Sequence, residues 1–452
     1  VRDHKTNISG GKEVSTNQTV IKPSMGLWKA WAMVVGTMMG SGVFMVPSLL
    51  APYGKIGLFA WVASSVGAII IALAFANLAR RMPKVGGCYA YTRAGFGDFS
   101  GFLIAWVYWI SVWASCAAIT VAFVGYLGYL FPVVTSSPAY SIMAGLVVIA
   151  IIAMINLKGI KEMGTVQLVT SLLKISPLIL IGLYGVFSSS PSNFDAYVPS
   201  GEPLLTAFSA CLIITMWAFM GLDAVTVPAA DVINPKKTIP RALIIGTSTA
   251  ALIYIVSNYA VMSILPQSTL ITSTAPFADA AMSIIGPIGG GLIAFGALIS
   301  CFGALNSNVC VAAQVPMAAA QDNLFPKPFG KMSKNGVPAF GILVAASLGG
   351  ILLIFNFSRG LLAAFEFILL IATITTLVAY AFATIAGLLV EARDKTLTKA
   401  EHFKEGLIAF LAFGVALWAM AGSGFESVYW AFFLILAGIP VYVWMKRKSA
   451  SP

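Results

Sequence analysis

The chain carries little charge. Only 10% of its 452 residues are Asp, Glu, Lys or Arg, against about a quarter in a typical soluble domain. Its two histidines, His4 and His402, both fall outside the apolar runs, which excludes a histidine proton relay within a membrane. The five cysteines (88, 116, 211, 301 and 310) make no CxxC pair, so neither a metal site nor a disulfide framework is indicated. No GxxxxGK[ST] stretch occurs, which argues against ATP drive. The apolar runs contain no paired acids and no Cys–His set, which argues against a membrane enzyme and gives no reason to expect a cofactor. A filter sequence or a ring of charges, the mark of an ion channel, is also missing.

What is present is apolar. Hydrophobic residues make up 59% of the chain, and the mean hydropathy is +0.91. They fall in twelve runs, near 27–52, 56–79, 101–131, 138–156, 164–188, 203–230, 240–265, 285–320, 338–356, 362–391, 405–421 and 427–445. Each is long enough to cross a hydrocarbon layer of ~30 Å as a helix. This predicts an all-α polytopic membrane protein with twelve transmembrane helices. A β-barrel would alternate in short segments instead. Residues 1–26 are mostly polar and lack the apolar core of a signal peptide, and they read as a flexible cytoplasmic tail.

The net charge of +11 follows topology rather than nucleic-acid binding. With the N-terminal tail inside, all but three of the 27 Lys and Arg residues lie in cytoplasmic segments. The exceptions are Lys55, Arg359 and Lys174. The positive-inside rule then places both termini in the cytoplasm, including the basic end at 446–452.

Two spans are interrupted. Span 1 reads "GTMMGSGVFMVPS" and span 6 reads "WAFMGLDAVTVPAADVINP". Glycine costs ~1 kcal/mol and proline ~3 kcal/mol relative to alanine inside a helix. Met39-Gly40 to Val46-Pro47 and Met220-Gly221 to Val227-Pro228 have equal spacing. Gly/Pro-interrupted spans at matching places in two halves point to discontinuous helices around a binding site; close packing of small residues is the structural alternative. Five spans separate the two, so spans 1–5 (27–188) and 6–10 (203–391) would be inverted repeats, with spans 11 and 12 (405–445) peripheral. Unwinding near 40–42 would free N–H groups for a carboxylate and carbonyls for an ammonium, which together fit the α-amino acid headgroup.

The chain resembles the amino acid–polyamine–organocation superfamily. The resemblance rests on "GSGVF", "GGCYAYTRAGFGDFSGFLIAWVYW" and "GLDAV…NPKKTIPRA", and covers nearly all of 27–445. It implies a LeuT-like fold of five-plus-five inverted repeats with helices 1 and 6 broken. Within the superfamily the chain is similar to the basic amino acid/polyamine antiporters, through "TMWAFMGLDA", "APFADAA", "QVPMAAAQDNLFPKPFGKMSKNGVP" and "TLVAY". Carried over, Ser41 and Gly42 hold the substrate carboxylate, with Gly40 beside them in the substrate site, and carbonyls near Met38, Trp217 and Met220 take the amino group. Trp217 closes over the substrate, and Asp223 is the acidic gate residue near Tyr108 and Tyr380. Asn308 stands where the arginine exchangers carry a stacking Trp, and Cys116 where they carry an Asn. Dimers occur in this family.

Three ionisable residues fall inside spans, where each costs ~2.5–3.5 kcal/mol on insertion scales. Asp223, beside the break, reads as a gate or protonation switch, or else as a satisfied capping carboxylate. Glu366, near the external end of span 10, reads as a vestibule or interfacial group. Lys174 sits about ten residues from either end of span 5, roughly 15 Å of helix, too deep to snorkel. Several superfamily members without sodium coupling carry a span-5 lysine whose ammonium replaces the sodium ion, and Lys174 in "LLKISP" matches that pattern. It would be a fixed cation, a titrating proton carrier, or a packing lysine bonded to carbonyls. Ser307 and Asn308 are its expected polar neighbours. The expected function is sodium-independent secondary transport, by amino acid/amine exchange or by proton-coupled uptake. The partners would be an amino acid or amine and the lipid bilayer of the inner membrane.

Overall fold

The computed structural model describes residues 23–159, 163–187 and 203–450, side chains of 163–170 and 448–450 excepted. The tail up to residue 22 and the loop 188–202 lie outside the described residues. In chain order the helices are α1 (Leu27–Met38), α2 (Ser41–Leu50), α3 (Lys55–Arg81), α4 (Cys88–Phe96), α5 (Asp98–Leu130), α6 (Pro138–Lys158), α7 (Met163–Phe187) and α8 (Leu204–Trp217), followed by α9 (Pro235–Ile264), α10 (Gln267–Leu270), α11 (Pro276–Gln321), α12 (Ala339–Asn356), α13 (Leu361–Ala392), α14 (Lys399–Met420), α15 (Phe425–Leu436) and α16 (Gly438–Ala450). All the regular secondary structure among the described residues is helical. Among the described residues, ten stretches are long and apolar enough to cross a membrane, and 171–187 and 204–217 are shorter apolar helices.

Span 1 is interrupted as expected, at Met39 and Gly40, between α1 and α2. Ser41 and Gly42, expected to be unwound, instead open α2. Span 6 departs further. After α8 the chain turns at Gly221, whose φ of +85° suits glycine alone. It continues only as short 3₁₀ turns at Ala224–Thr226 and Ala229–Asp231. Gly221, Pro228 and a left-handed Asn234 leave no run in which α-helix could propagate. Asp223 therefore caps no second half-helix; it precedes a 3₁₀ turn. Between span 7 and span 8 the segment 266–284 holds α10 and the first turns of α11, which bends at Ile285–Gly286.

The long helix α5 is almost wholly buried and packs against α11, α13 and α12. Helix α9 packs in turn against α3, α7 and α1. Little of α14–α16 is buried, which makes them peripheral to this core. Trp109 and Trp113 of α5 are buried packing residues, and Trp109 contacts Phe325 and Phe329 edge-on.

Candidate substrate site

The two breaks face one another across a cavity of about 40 Å³. That is room for about three waters at ~10–15 Å³ each, so an amino acid enters only if the walls part. Met38, Gly40, Ser41 and Gly42 line it from span 1, and Trp217, Met220 and Gly221 from span 6. Tyr108, Ser111, Val112, Ser115 and Ile119 form a stripe along α5, Asn308 and Val311 face in from α11, and Thr376 from α13. The spacing of the α5 residues is that of a single helix face.

One end of the cavity is rich in donors. The first N–H groups of α2 have no partners within their own helix, and they carry its partial positive charge. Ser41 is buried there, with no partner for its hydroxyl among the described residues. Gly42 keeps this end narrow: a Cβ would meet Ala218 Cα at 3.0 Å and Trp217 Cδ1 at 3.1 Å. Gly40 is set by packing, since a Cβ would lie 2.8 Å from Ala304 Cβ. Gly40→Ala is expected to destabilise the protein by about 1–3 kcal/mol through overpacking. Thermal unfolding in detergent tests this; an unchanged midpoint would show that spans 1 and 8 are free to part.

Below the cavity, Asp223 is fully buried and accepts three hydrogen bonds. Tyr380 donates to Oδ1 at 2.7 Å, Tyr108 to Oδ1 at 3.1 Å, and the Cys88 thiol to Oδ2 at 3.2 Å. The Tyr380 oxygen also accepts from Gly221 N at 3.1 Å. One carboxylate thus ties the second break to α4, α5 and α13. The turn before α4 adds a backbone bond, Gly86 N to Val227 O at 3.2 Å. Further out, Arg93 bridges Asp98 and Asp322, both at 2.8 Å, and Tyr89 donates to Asp322. Burial, then the Asp322 carboxylate, push the Tyr89 hydroxyl well above the ordinary tyrosine range, so it keeps its proton as a donor.

Lys174 is fully buried, and its Nζ donates to Gly36 O at 3.1 Å. Ser171 donates to Ala32 O and Ser300 to Met39 O, both at 3.1 Å. Lys174 and Ser300 thus bond to carbonyls at the end of α1 and at the break, and Ser171 to one midway along α1. Cys301 is an electrostatic neighbour of the ammonium. The expected neighbours Ser307 and Asn308 donate into their own helix, to Gly303 O at 3.1 Å and Ala304 O at 2.9 Å, and Asn308 faces the cavity.

Of the residues expected to bind substrate, all but Cys116 line the cavity. Cys116 is one position further round α5, toward Gly349 of α12, and Ser115 takes the inward place. Sequence reasoning missed Cys88, Ser111, Ser115, Thr376, Ser300 and Cys301. The helical spacing from Tyr108 would have found Ser111 and Ser115. Glu366 is half-buried early in α13, near the end at which α13 begins.

Two interrupted spans walling one cavity, with a buried carboxylate at its base, are the apparatus of a membrane carrier. The amino acid permease family model matches residues 25–446. The chain belongs to that family, and it is a transporter rather than an enzyme. It is 29% identical over 437 residues to an arginine/ornithine antiporter of Pseudomonas aeruginosa, covering 93% of this chain and 90% of the relative. It is 28% identical to the putrescine transporter PotE of Escherichia coli (92% and 95% covered) and 31% identical to that organism's cadaverine/lysine antiporter (71% and 72%). The fold is shared with a solved manganese transporter of Eremococcus coleocola, with a TM-score of 0.62 at 13% identity, covering 97% of this chain and 96% of that one.

Proposed function

We propose that the chain exchanges one α-amino acid for a related amino acid or amine by alternating access. The observation that carries this reading is the pairing of the two breaks across one cavity, with Ser41 and the α2 N-terminus at one side of it. These groups suit a carboxylate, and carbonyls at Met38, Trp217 and Met220 suit the α-ammonium. Trp217 and Met220, which line the closed cavity, part to admit substrate. Release to the cytoplasm requires the Asp223 tether to open. In this reading spans 1–5 and 6–10 are inverted repeats within twelve spans, both termini are cytoplasmic, and the membrane is the inner one. The names of the relatives favour basic amino acids and polyamines as substrates.

Lys174 takes the place of a coupling cation. Its ammonium bonds to the broken span's Gly36 carbonyl, so transport proceeds without sodium. The same lysine gives a second reading, proton-coupled uptake, in which the ammonium releases and regains its proton during the cycle.

Counterflow in proteoliposomes with a panel of amino acids and amines tests both. Exchange is expected to saturate, to be stimulated from the opposite side and to be indifferent to sodium. Sodium dependence would overturn the role given to Lys174. Uptake driven by a pH gradient with no internal amino acid would favour the second reading. Ser41→Ala is expected to raise the KM for amino acids about fivefold or more, the loss of one hydrogen bond to a carboxylate. An unchanged KM would move the carboxylate elsewhere.

A further inference from the structure

Two bonds join the start of α4 to the second break. The Cys88 thiol donates to Asp223 Oδ2 at 3.2 Å, and Gly86 N, in the turn before the helix, donates to Val227 O at 3.2 Å. A second set fastens α4 to the long helices. Arg93 donates to Asp98 at the start of α5 and to Asp322 just past the end of α11, both at 2.8 Å, and Tyr89 donates to the same Asp322 carboxylate. Arg393, just past the end of α13, donates at 2.9 Å to Ala94 O, one of the last carbonyls of α4. Two glycines let these surfaces close. A Cβ on Gly101 of α5 would lie 2.8 Å from Arg93 Cβ and 3.1 Å from its Cγ, so the arginine stem lies directly against α5. A Cβ on Gly95 would lie 2.8 Å from Ala386 Cβ of α13. The later turns of α4 are thus mounted on α5, α11 and α13, and its first turn meets Asp223.

We propose that Arg93 is a positioning residue: by tying α4 to α5 and, through Asp322, to α11, it holds the helix as a fixed stop on which the second break closes. The inference rests on the alternating-access reading and goes beyond the Asp223 tether, since Arg93 touches neither the cavity nor Asp223. A guanidinium suits the task because its planar fork of donors serves two carboxylates at once, where an ammonium is a point charge. The Cys88 and Gly86 bonds form only where α4 is held in register with the break. Releasing Arg93 leaves Tyr108 and Tyr380 on Asp223 and loosens the α4 side of the closure alone. The resting population then shifts toward the form open to the cytoplasm.

The test is alkylation of Cys88, which is 1% exposed in this closed form. A membrane-impermeant maleimide is added to the cytoplasmic face of inside-out vesicles, and mass spectrometry locates the label. Arg93→Gln and Asp322→Asn are each expected to speed labelling of Cys88 about two- to fivefold, the size that a partly exposed ion pair gives. Cys116, Cys211 and Cys301, buried elsewhere, should stay protected. The double variant should be little faster than the quicker single one, because both changes break the same bridge. Arg93→Lys should fall between, keeping the charge without the fork. In counterflow of labelled L-ornithine, the ratio of external to internal KM should rise in Arg93→Gln by the same factor as the labelling rate. Labelling of both single variants as slow as in the unaltered protein would overturn the inference, as would an unchanged KM ratio. Label spread equally over all four buried cysteines would also overturn it, by showing that the bridge holds up the whole fold. No ornithine exchange by the unaltered protein would count against the exchange reading, and the labelling rates would still decide the role of Arg93.

Discussion

Replacing Lys174 with alanine is expected to slow exchange by about tenfold to a hundredfold. The change strips the donor from Gly36 O, a carbonyl buried near the end of α1. An unsatisfied buried carbonyl costs about 1–3 kcal/mol, and each 1.4 kcal/mol is about a factor of ten. The cost falls on the arrangement of the first break, because the ammonium joins α7 to α1 beside the cavity-lining Thr37 and Met38. Lys174→Met separates charge from packing. It keeps an unbranched chain but supplies no donor, and should be nearly as slow as the alanine variant. Counterflow rates at several pH values are the measurement. If the methionine variant exchanges at the normal rate with a normal pH response, Lys174 is a packing residue only.

The second large effect is expected at Asp223. Asp223→Asn keeps the shape and one carbonyl acceptor for Tyr380 and Tyr108, but removes the negative charge from a site holding three donors. Hydrogen bonds to an ionised group are roughly twice as strong as neutral ones. The tether should loosen, lowering the exchange rate about tenfold or more and flattening its pH dependence, since the group able to gain a proton there is gone. Tyr380→Phe removes the 2.7 Å bond and the acceptor for Gly221 N together. The double variant should lose less than the two single losses combined, because both act on one network. Full additivity would separate Tyr380 from Asp223. A pH profile unchanged in Asp223→Asn would place the pH-sensitive step elsewhere.

Much of this arrangement was legible in the chain itself. Span positions follow from apolar length, and most helix ends lie close to the expected ones; span 6 stops as helix at Trp217 and span 8 begins earlier, at Pro276. The first break was visible because Gly40 and Gly42 flank Ser41 in an otherwise apolar run. Its position moved to Met39–Gly40 because the helix restarts wherever N–H and carbonyl groups can pair, and Ser41 and Gly42 tolerate an N-terminal turn. The second break was visible as well, but its continuation was not. Composition marks a weak helix at Gly221 and Pro228, without showing that the strand of residues beyond would settle into 3₁₀ turns. Lys174 announced itself as a charge too deep to reach water, whereas its neighbours did not. Cys301 comes beside it, and Ser300 reaches the Met39 carbonyl at the break, through packing of α11 on α1 and α7, a tertiary fact with no local signature. Cys88 was hidden for the same reason: a lone cysteine in a glycine-rich turn has no chemistry until the fold brings Asp223 to it.

The three donors on Asp223 come from three helices, and this bears on slippage. A carrier that opens without cargo dissipates the gradient it is meant to use. If one helix held the carboxylate, small local fluctuations could let solutes and ions seep through. In the cycle proposed above, α4, α5 and α13 would all have to let go before the passage clears, so partial opening would leave a buried charge incompletely satisfied and be the costliest stage of the movement. On that proposal the tether would favour tightly coupled turnover over idle cycling, at the expense of speed when no substrate is bound.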